Sequence, residues 1–303
     1  MTDDHTTPTE PRPKFEVLPM DPGAFEVAHK LISTTLGDRV DRLGHGFADS
    51  HGMAQDYSFR PPNLGTRKRL GALQGDRKLT SKPGLYFAHW MGTALLNVGG
   101  RDLTAMKRGQ AALEVARLPL GDFLLLMFAW QHSAHPEGLP VGLPGCVSCG
   151  IPFDDVTVDL ATLELKVLPD GVTAEDPAVA RVGLRKGFEF RGEAVRTVML
   201  RPPTWLDVYW PVSAAQWRNS ALLQERVLRG AIYATDANGK VKLPAGALDE
   251  LWPVDLDLMN EALGQLVPFP IMTVEVPCPV CDQLNSEVLD WQAAPGFWQE
   301  AGR

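Results

Sequence analysis

The chain has 303 residues, which is enough for one large domain or two of ordinary size. Its residues are 45% hydrophobic and 22% charged, a mixture typical of a globular protein with a core. The net charge of −8 argues against general binding to DNA or RNA, because nucleic-acid backbones are bound by basic surfaces. A short basic run, Arg67 to Arg69, is interpreted as a solvated face.

No segment typical of secretion or membrane insertion is visible in the sequence. Residues Met1 to Pro13 are polar, acidic and rich in proline and threonine, so we predict a disordered tail there. The longest strongly apolar run, Phe123 to Trp130, has eight residues, whereas a membrane span needs about 20. We therefore expect a cytoplasmic protein in which this run forms a buried helix or strand.

Two stretches of the sequence carry similar motifs in the same order. The first stretch contains, in order, Tyr57 to Pro62, Leu118 to Leu126, Cys146 to Cys149 and Val156 to Leu160. The second stretch contains their counterparts, which are Val198 to Pro203, Val254 to Met259, Cys278 to Cys281 and Val288 to Asp290. In both stretches an Arg-Pro-Pro triplet ends the first motif, and a Cys-x-x-Cys pair forms the third.

The spacings of these motifs also agree. Asp122 precedes Cys146 by 24 residues, and Asp255 precedes Cys278 by 23. Such self-similarity within one chain predicts an internal duplication. The predicted units are residues 51–170 and 185–292, with a tail and lead-in at 1–50 and a C-terminal tail at 293–303.

The first elements of the second unit are a hairpin and a helix. Phe188 to Leu200 is typical of a hairpin that turns at Arg191-Gly192, because apolar residues alternate along it. Ser213 and Gln216 form a capping box, which predicts a helix that continues to Leu228.

A turn, a second helix and a strand follow. Asn238-Gly239 predicts the turn, and Met272 to Val276 is the strand that leads into Cys278. The helix between them has one apolar face, formed by Leu256, Met259, Leu263 and Leu266. Each unit thus consists of a strand, helices, a strand, a cysteine turn and a strand, so the predicted fold class is α+β.

The four cysteines form two Cys-x-x-Cys pairs, Cys146 with Cys149 and Cys278 with Cys281. Such a pair on a turn between short strands is a zinc knuckle, since the two-residue spacer lets both sulfurs face one metal ion. Two knuckles supply four thiolates, the complete set for a closed structural site. The pairs are 128 residues apart, and packing of duplicated halves would bring them together. We therefore predict one structural Zn²⁺ that joins the halves.

Other interpretations of the cysteines stay open. His132 and His135 precede Cys146 and could complete a Cys2His2 site within the first half. A Cys-x-x-Cys pair is also used by thiol–disulfide oxidoreductases, which place a cysteine of low pKa at a helix N-terminus. The four could also be free thiols. A catalytic zinc is less favoured, because it keeps an open position that four thiolates do not leave.

Further candidate residues have simpler interpretations. His89 is expected to be a core histidine rather than a catalyst. Three acidic residues are expected on the solvated face of their helix: Asp255, Asp257 and Glu261. Either an interaction surface or core packing explains a cluster of three tryptophans: Trp205, Trp210 and Trp217. The sequence has no P-loop, dinucleotide-binding glycine motif or nucleophile elbow, so we predict a protein that is not an enzyme.

The motifs together resemble the baseplate hub and tail-assembly proteins of contractile-tailed phages and of phage-tail-like contractile injection systems. The resemblance lies in a strand ending in Arg-Pro-Pro, a helix led by Asp, and a cysteine knuckle followed by a Val-x-Val-Asp-Leu strand. In this sequence these features are Phe59 to Pro62, Asp122 to Leu126, Cys146 to Gly150 and Val158 to Leu160. The chain differs from that pattern in carrying two such units.

This resemblance implies a structural or assembly protein that acts with other proteins of a multiprotein assembly, such as baseplate components. It implies a place in the cytoplasm of a bacterial or phage-infected cell, or in a virion or tail-like particle. Nucleic acid and membranes are not expected among the partners. The alternative from a different class is a thiol–disulfide oxidoreductase that uses one Cys-x-x-Cys pair.

Overall fold

The structure is a computed structural model that describes residues 17–49, 52–143, 145–172, 177–210 and 212–288. The predicted tails at Met1 to Pro13 and at 293–303 lie outside these ranges, as does Asp290 of the last repeated motif. Helices and sheets are both abundant, which confirms the α+β class. Among the helices of these ranges, none is long and apolar enough to cross a membrane.

The first half follows a short lead-in that contributes two strands, β1 (Phe25–Val27) and β2 (Ile32–Thr35). Its elements are, in order, β3 (Arg42–Asp49), β4 (Gly52–Phe59), α1 (Leu64–Gln74), α2 (Arg77–Thr80), α3 (Pro83–Ala94), β5 (Leu95–Val98), β6 (Arg101–Asp102), α4 (Arg108–Ala116), α5 (Leu120–Ala134), β7 (Leu139–Leu143), β8 (Phe153–Val158) and β9 (Glu164–Val167). Short 3₁₀ helices occur at Gly37–Arg39 and Leu160–Thr162. Strand β3 thus lies in the segment that the sequence assigns to the lead-in.

The second half repeats this series with fewer helices. Its elements are, in order, β10 (Ala180–Phe190), β11 (Glu193–Leu200), α6 (Trp205–Val208), α7 (Ala214–Trp217), α8 (Ser220–Ala231), β12 (Ile232–Thr235), β13 (Gly239–Lys240), α9 (Pro253–Leu266), β14 (Phe269–Pro270), β15 (Thr273–Pro277) and β16 (Leu284–Val288). The predicted hairpin, its turn at Arg191-Gly192 and the apolar helix α9 are all present.

One predicted helix is interrupted. Ser213 and Gln216 do form a capping box, but helix α7 ends at Trp217. The chain then starts a second helix, α8, because the Asn219 side chain accepts a hydrogen bond from the backbone N–H of Leu222 and caps it. The prediction of one continuous helix to Leu228 is therefore wrong.

The sheets of the two halves have the same topology. The first sheet has the order β3-β4-β5-β6, and the second has the order β10-β11-β12-β13, with β1 added beside β10. The backbone N–H of Arg60 donates to Ala94 at 2.8 Å, and that of Arg201 donates to Ala231 at 2.9 Å. The two Arg-Pro-Pro triplets therefore leave equivalent strands at the same register, which confirms the prediction of two similar units.

A buried aspartate fixes the first hairpin to helix α5. Asp122 lies in the first turn of the helix and is fully buried. Its carboxylate accepts hydrogen bonds from the backbone N–H groups of Gly44, His45 and Gly46, at 2.8, 2.9 and 2.6 Å. Gly46 has a φ of 84°, and a Cβ atom there would lie 2.4 Å from the carbonyl oxygen of Ala54, so this irregular segment of β3 requires glycine.

The second half contains the same interaction. Asp255 in the first turn of α9 is also fully buried, and its carboxylate accepts from the N–H groups of Arg185, Lys186 and Gly187 at 2.6, 3.0 and 2.8 Å. Gly187 has a φ of 70° and occupies the position of Gly46. The expectation that Asp255 is solvated is therefore wrong: its carboxylate satisfies three backbone donors of a strand that lies 68 to 70 residues away.

The halves interlock through the tryptophan cluster. Trp205 at the start of α6 is fully buried in the core of the first half, where its ring stacks on Phe123 with centroids 3.8 Å apart. Its indole N–H donates to the carbonyl of Gly84 at 2.8 Å. A backbone bridge between Pro119 and Thr204 accompanies this contact. Core packing rather than an exposed interaction surface thus explains Trp205.

A small sheet gives a second connection between the halves. Its strand order is β14-β9-β2, so a strand of the second half pairs with β9 at the end of the first half and β9 pairs with the lead-in. The chain next to β14 also packs closely on α5, since a Cβ atom at Gly121 would collide with the carbonyl of Pro268. These contacts bring the segments that carry the cysteines to the same side of the molecule.

We predict that Asp255→Asn lowers the free energy of unfolding by about 2–3 kcal/mol, because one buried backbone N–H would then face an amide NH₂ instead of a carboxylate oxygen. Chemical denaturation measures the change. Asp257→Asn is the matched control, since Asp257 is exposed on the same helix, and it should change stability by less than about 0.5 kcal/mol. Equal effects of the two substitutions would contradict the role given to Asp255.

Candidate metal centre

Two antiparallel hairpins carry the cysteines. Strands β7 and β8 flank the turn with Cys146 and Cys149, and strands β15 and β16 flank the turn with Cys278 and Cys281. Strand β15 of the second hairpin contacts β8 of the first. Both Cys-x-x-Cys pairs therefore lie on turns between strands, as the sequence predicts for zinc knuckles.

The two turns have the same backbone geometry. In the first, the N–H of Gly150 donates to the carbonyl of Cys146 at 2.9 Å; in the second, the N–H of Asp282 donates to that of Cys278 at 3.0 Å. Gly150 has a φ of 72° and Asp282 has a φ of 56°. Aspartate is among the few residues other than glycine that adopt this left-handed conformation readily, so both sequences satisfy one turn geometry.

The four sulfur atoms converge on one point. All four Sγ atoms lie within 4.8 Å of one another. Cys146 Sγ lies 3.6 Å from Cys281 Sγ, and Cys149 Sγ lies 3.7 Å from Cys278 Sγ. Four sulfurs bound to one zinc ion at about 2.3 Å would be about 3.8 Å apart, so the arrangement fits a tetrahedral site. Both short distances join one turn to the other, and all four residues are free cysteines.

Asn285 connects the two turns beside the sulfurs. This buried side chain accepts a hydrogen bond from the backbone N–H of Val147 at 2.9 Å. Its amide NH₂ donates to the carbonyl of Gln283 at 2.9 Å and to that of Val276 at 3.4 Å. A single side chain of β16 therefore orients the first knuckle against the second. Within the first turn, the backbone N–H of Ser148 donates to Cys146 Sγ at 3.4 Å.

The apolar support beneath the sulfurs is small. The buried cluster here contains only Cys146, Val158, Val276 and Cys278 among the described residues, with Val274 partly buried against it. Each half has a much larger core elsewhere. Among the side chains whose burial is described, the residues of this small cluster provide the apolar contact beneath the sulfurs, and the four cysteines themselves bring the two turns together.

The local hydrogen bonds give the thiols different acidities. The pKa of Cys146 is lowered to about 6, chiefly by the backbone N–H of Cys149 and further by that of Ser148. For Cys281 the N–H of Gln283 acts to lower the pKa, but desolvation and hydrogen bonds with the other three thiols outweigh it and raise the pKa to about 12. A cation at the centre favours thiolates and would remove this difference by releasing the retained protons.

The other predicted ligands lie elsewhere. His132 lines a cleft with Tyr57 and Phe59, and His135 lies 3.5 Å from a carboxylate oxygen of Glu137. In the described ranges the four cysteines are the only group of three or more His, Cys, Asp or Glu side chains whose ligand atoms converge. The structure thus brings together the four-cysteine set, and the Cys2His2 arrangement with His132 and His135 is not formed.

Comparisons of this chain with protein-family models, with curated proteins and with solved structures found no match. The assignment of a function therefore depends on the geometry of the centre and on the sequence motifs.

Two residues of the centre were missed by the sequence analysis. Asn285 follows Cys281 by four residues in a short strand, where an isolated polar residue carries no metal-binding pattern. Asp282 could have been found by aligning the knuckles, because it stands where the first knuckle has Gly150. The alignment indicates a left-handed turn position in both copies.

We predict that Asn285→Ala weakens metal retention by about 10-fold, because residues that orient the ligands typically change metal affinity by 10- to 100-fold. Competition with a chromogenic chelator measures the affinity. Gln283→Ala is the control, since the Gln283 side chain is exposed and only its backbone contacts Cys278 and Asn285. Unchanged affinity in Asn285→Ala would show that Asn285 does not position the ligands.

Proposed function

We propose that this chain is a non-enzymatic structural or assembly protein in which one zinc ion joins the two halves. The observation that carries the proposal is the convergence of four cysteine sulfurs from two turns 128 residues apart. Thiolates in a tetrahedral set favour zinc among the common divalent ions. The ligands would be Cys146, Cys149, Cys278 and Cys281.

The structural role follows from the ligand set. Four protein thiolates would fill the coordination shell of zinc, so no position remains for water or substrate. The metal would add binding free energy to the junction between the two cysteine hairpins, and this energy would contribute directly to folding. Three residues of the chain would hold the turns in place for the metal. Asn285 orients one turn against the other, and Gly150 and Asp282 adopt the left-handed conformation that both turns need.

The multiprotein assembly that we propose for this chain is a phage tail or the baseplate of a contractile injection system. The resemblance of the Arg-Pro-Pro strand, the Asp-led helix and the cysteine knuckle to tail-assembly proteins supports this assignment. The structure adds that the Arg-Pro-Pro triplet and the Asp-led helix occur at equivalent places in both halves. The partners would be other baseplate proteins, in the cytoplasm where such particles assemble or within the particle.

We predict one zinc ion per chain in protein purified without added metal, measured by elemental analysis. Cys278→Ser should lose the metal and make both hairpins sensitive to limited proteolysis, since the site draws ligands from each. Val280→Ser is the matched control, because Val280 lies between the two cysteines of the same turn and is exposed. Two zinc ions per chain, or proteolysis confined to the second hairpin, would contradict a shared site.

The alternative is a thiol–disulfide oxidoreductase. Two observations favour it: Cys149 and Cys281 are exposed, and the pKa of Cys146 is lowered to about 6. Reduction of insulin disulfides by the metal-bound protein discriminates between the functions. We predict no activity above that of a Cys146→Ser variant, because bound thiolates are not available for exchange. Turnover comparable to that of a dedicated oxidoreductase would favour the alternative.

The assembly role is tested by deleting the gene and imaging lysates by negative-stain electron microscopy. We predict the loss of complete contractile particles, with tubes or sheaths absent or aberrant. Complementation with the intact gene should restore particles, whereas the Cys278→Ser gene should not. Normal numbers of contracting particles in the deletion strain would contradict an essential role in assembly.

A further inference from the structure

One contact between the two halves uses a helix start from each. Leu118 to Leu120, at the start of α5, pairs with Pro203 to Trp205, at the start of α6. The N–H of Leu120 donates to Pro203 at 2.8 Å, and the N–H of Trp205 donates to Leu118 at 3.0 Å. Because the halves repeat each other, each half also contains a counterpart of the segment that the other half contributes.

Both counterparts can be identified by position. The shared Arg-Pro-Pro triplet matches Pro203–Trp205 with Pro62–Leu64, which begins α1. The shared buried aspartate matches Leu118–Leu120 with Leu251–Pro253, which begins α9. In the described part of the chain no backbone hydrogen bond joins the two counterparts to each other. The internal contact is therefore one-sided and leaves one surface of each kind unused.

The unused surfaces expose large apolar side chains. In the internal contact Pro119 and Trp205 are buried. At the matching positions Trp252 is 56% exposed and Leu64 is 68% exposed, whereas Leu251, which matches the buried Leu118, is partly buried. Scattered exposed apolar residues are common, but here they stand on the two segments whose equivalents bury the junction between the halves.

The exposed charges beside these segments are mainly opposite in sign. After Leu64, three basic side chains are exposed on α1: Arg67, Lys68 and Arg69. Before Trp252 and along α9, four acidic side chains are exposed: Asp249, Glu250, Asp257 and Glu261. One exposed basic side chain lies on this side, since the Lys186 ammonium is 5.7 Å from the Trp252 ring centroid. Opposite charges on two surfaces favour their association and guide its orientation. The basic run, interpreted from the sequence as a solvated face, thus has an acidic counterpart on the other half of the same chain.

We propose that the chain binds a second copy of itself head to tail, with Leu251 to Val254 of one copy packed on Pro62 to Leu64 of the next. The contact repeats the one between the halves. The bond from Trp205 to Leu118 has a counterpart from the N–H of Leu64 to the carbonyl of Leu251. The bond from Leu120 to Pro203 has none, because Pro253 takes the place of Leu120 and has no N–H.

A head-to-tail contact has defined consequences for assembly. Each copy keeps one free surface of each kind, so copies form a closed ring or an open filament, depending on the rotation between neighbours. This inference deepens the proposed assembly role by naming a partner. It involves no cysteine, so loss of self-association and loss of metal can be measured separately.

Sedimentation velocity of the full chain at low salt tests the proposal. The intact chain should associate beyond its monomer mass of 33.2 kDa, and added salt should weaken the association. Leu64→Asp and Trp252→Asp should each be monomeric. An equimolar mixture of the two variants should form a species of twice the monomer mass, because each variant retains the surface that the other has lost. Leu18→Asp, at an exposed leucine outside both segments, should associate like the intact chain.

Three outcomes would overturn the inference: an intact chain that stays monomeric at its highest soluble concentration, single variants that associate as the intact chain does, or a mixture that stays monomeric. Thermal melting and zinc content of each variant establish that it is folded and metal-bound. A metal-bound chain that stays monomeric would contradict self-association and leave the zinc site unaffected. A chain that associates without metal would contradict only the proposed zinc site.

Discussion

Four cysteine sulfurs from two distant turns converge on one point, and this convergence constrains how the two cysteine hairpins pack together. Each sulfur lies 3.6 or 3.7 Å from a sulfur of the opposite turn, and Val158, Val274 and Val276 are the apolar neighbours among the side chains whose burial is described. Protonated thiols at these distances contribute little stability, whereas thiolates bound to a cation contribute a large free energy of binding. The distances thus agree with a centre that a bound metal ion would stabilise.

The rest of the fold positions these two turns. In each half a buried aspartate at a helix start accepts three backbone N–H groups of a hairpin, and this fixes the helix against the sheet. In both halves the helix that carries the aspartate precedes the cysteine hairpin, with the short strand β14 between them in the second half. Trp205 then inserts from one half into the core of the other and sets their relative placement. Repeated local interactions therefore produce two equivalent turns, and the Trp205 contact and the β14-β9-β2 sheet bring them together.

The sequence predicts those features that depend on local pattern. The apolar face of α9, the hairpin at Arg191-Gly192 and the paired cysteine spacings are readable because each follows from neighbouring residues. The resulting class, α+β with two similar units, is confirmed. The convergence of the four cysteines was predictable only because the motifs repeat, since no local pattern connects positions 128 residues apart.

The features that the sequence analysis missed depend on distant partners. Asp255 has the position of a solvated helical residue, and only the irregular segment of β10 makes it a buried acceptor. Asn285 is one polar residue in a strand, and its role depends on Val147 in the other half. The helix after Ser213 ends at Trp217, because the Asn219 side chain caps a new helix instead of continuing the first one. To predict the role of each of these residues, one must know which residues lie next to it in the folded chain.

X-ray absorption at the zinc edge, on protein purified without added metal, tests the central claim most directly. A closed four-cysteine centre predicts a first shell of four sulfur atoms at about 2.3 Å, with no lighter ligand. A shell that contains nitrogen or oxygen at about 2.0–2.1 Å would contradict it, because a histidine, carboxylate or water would then have replaced a thiolate.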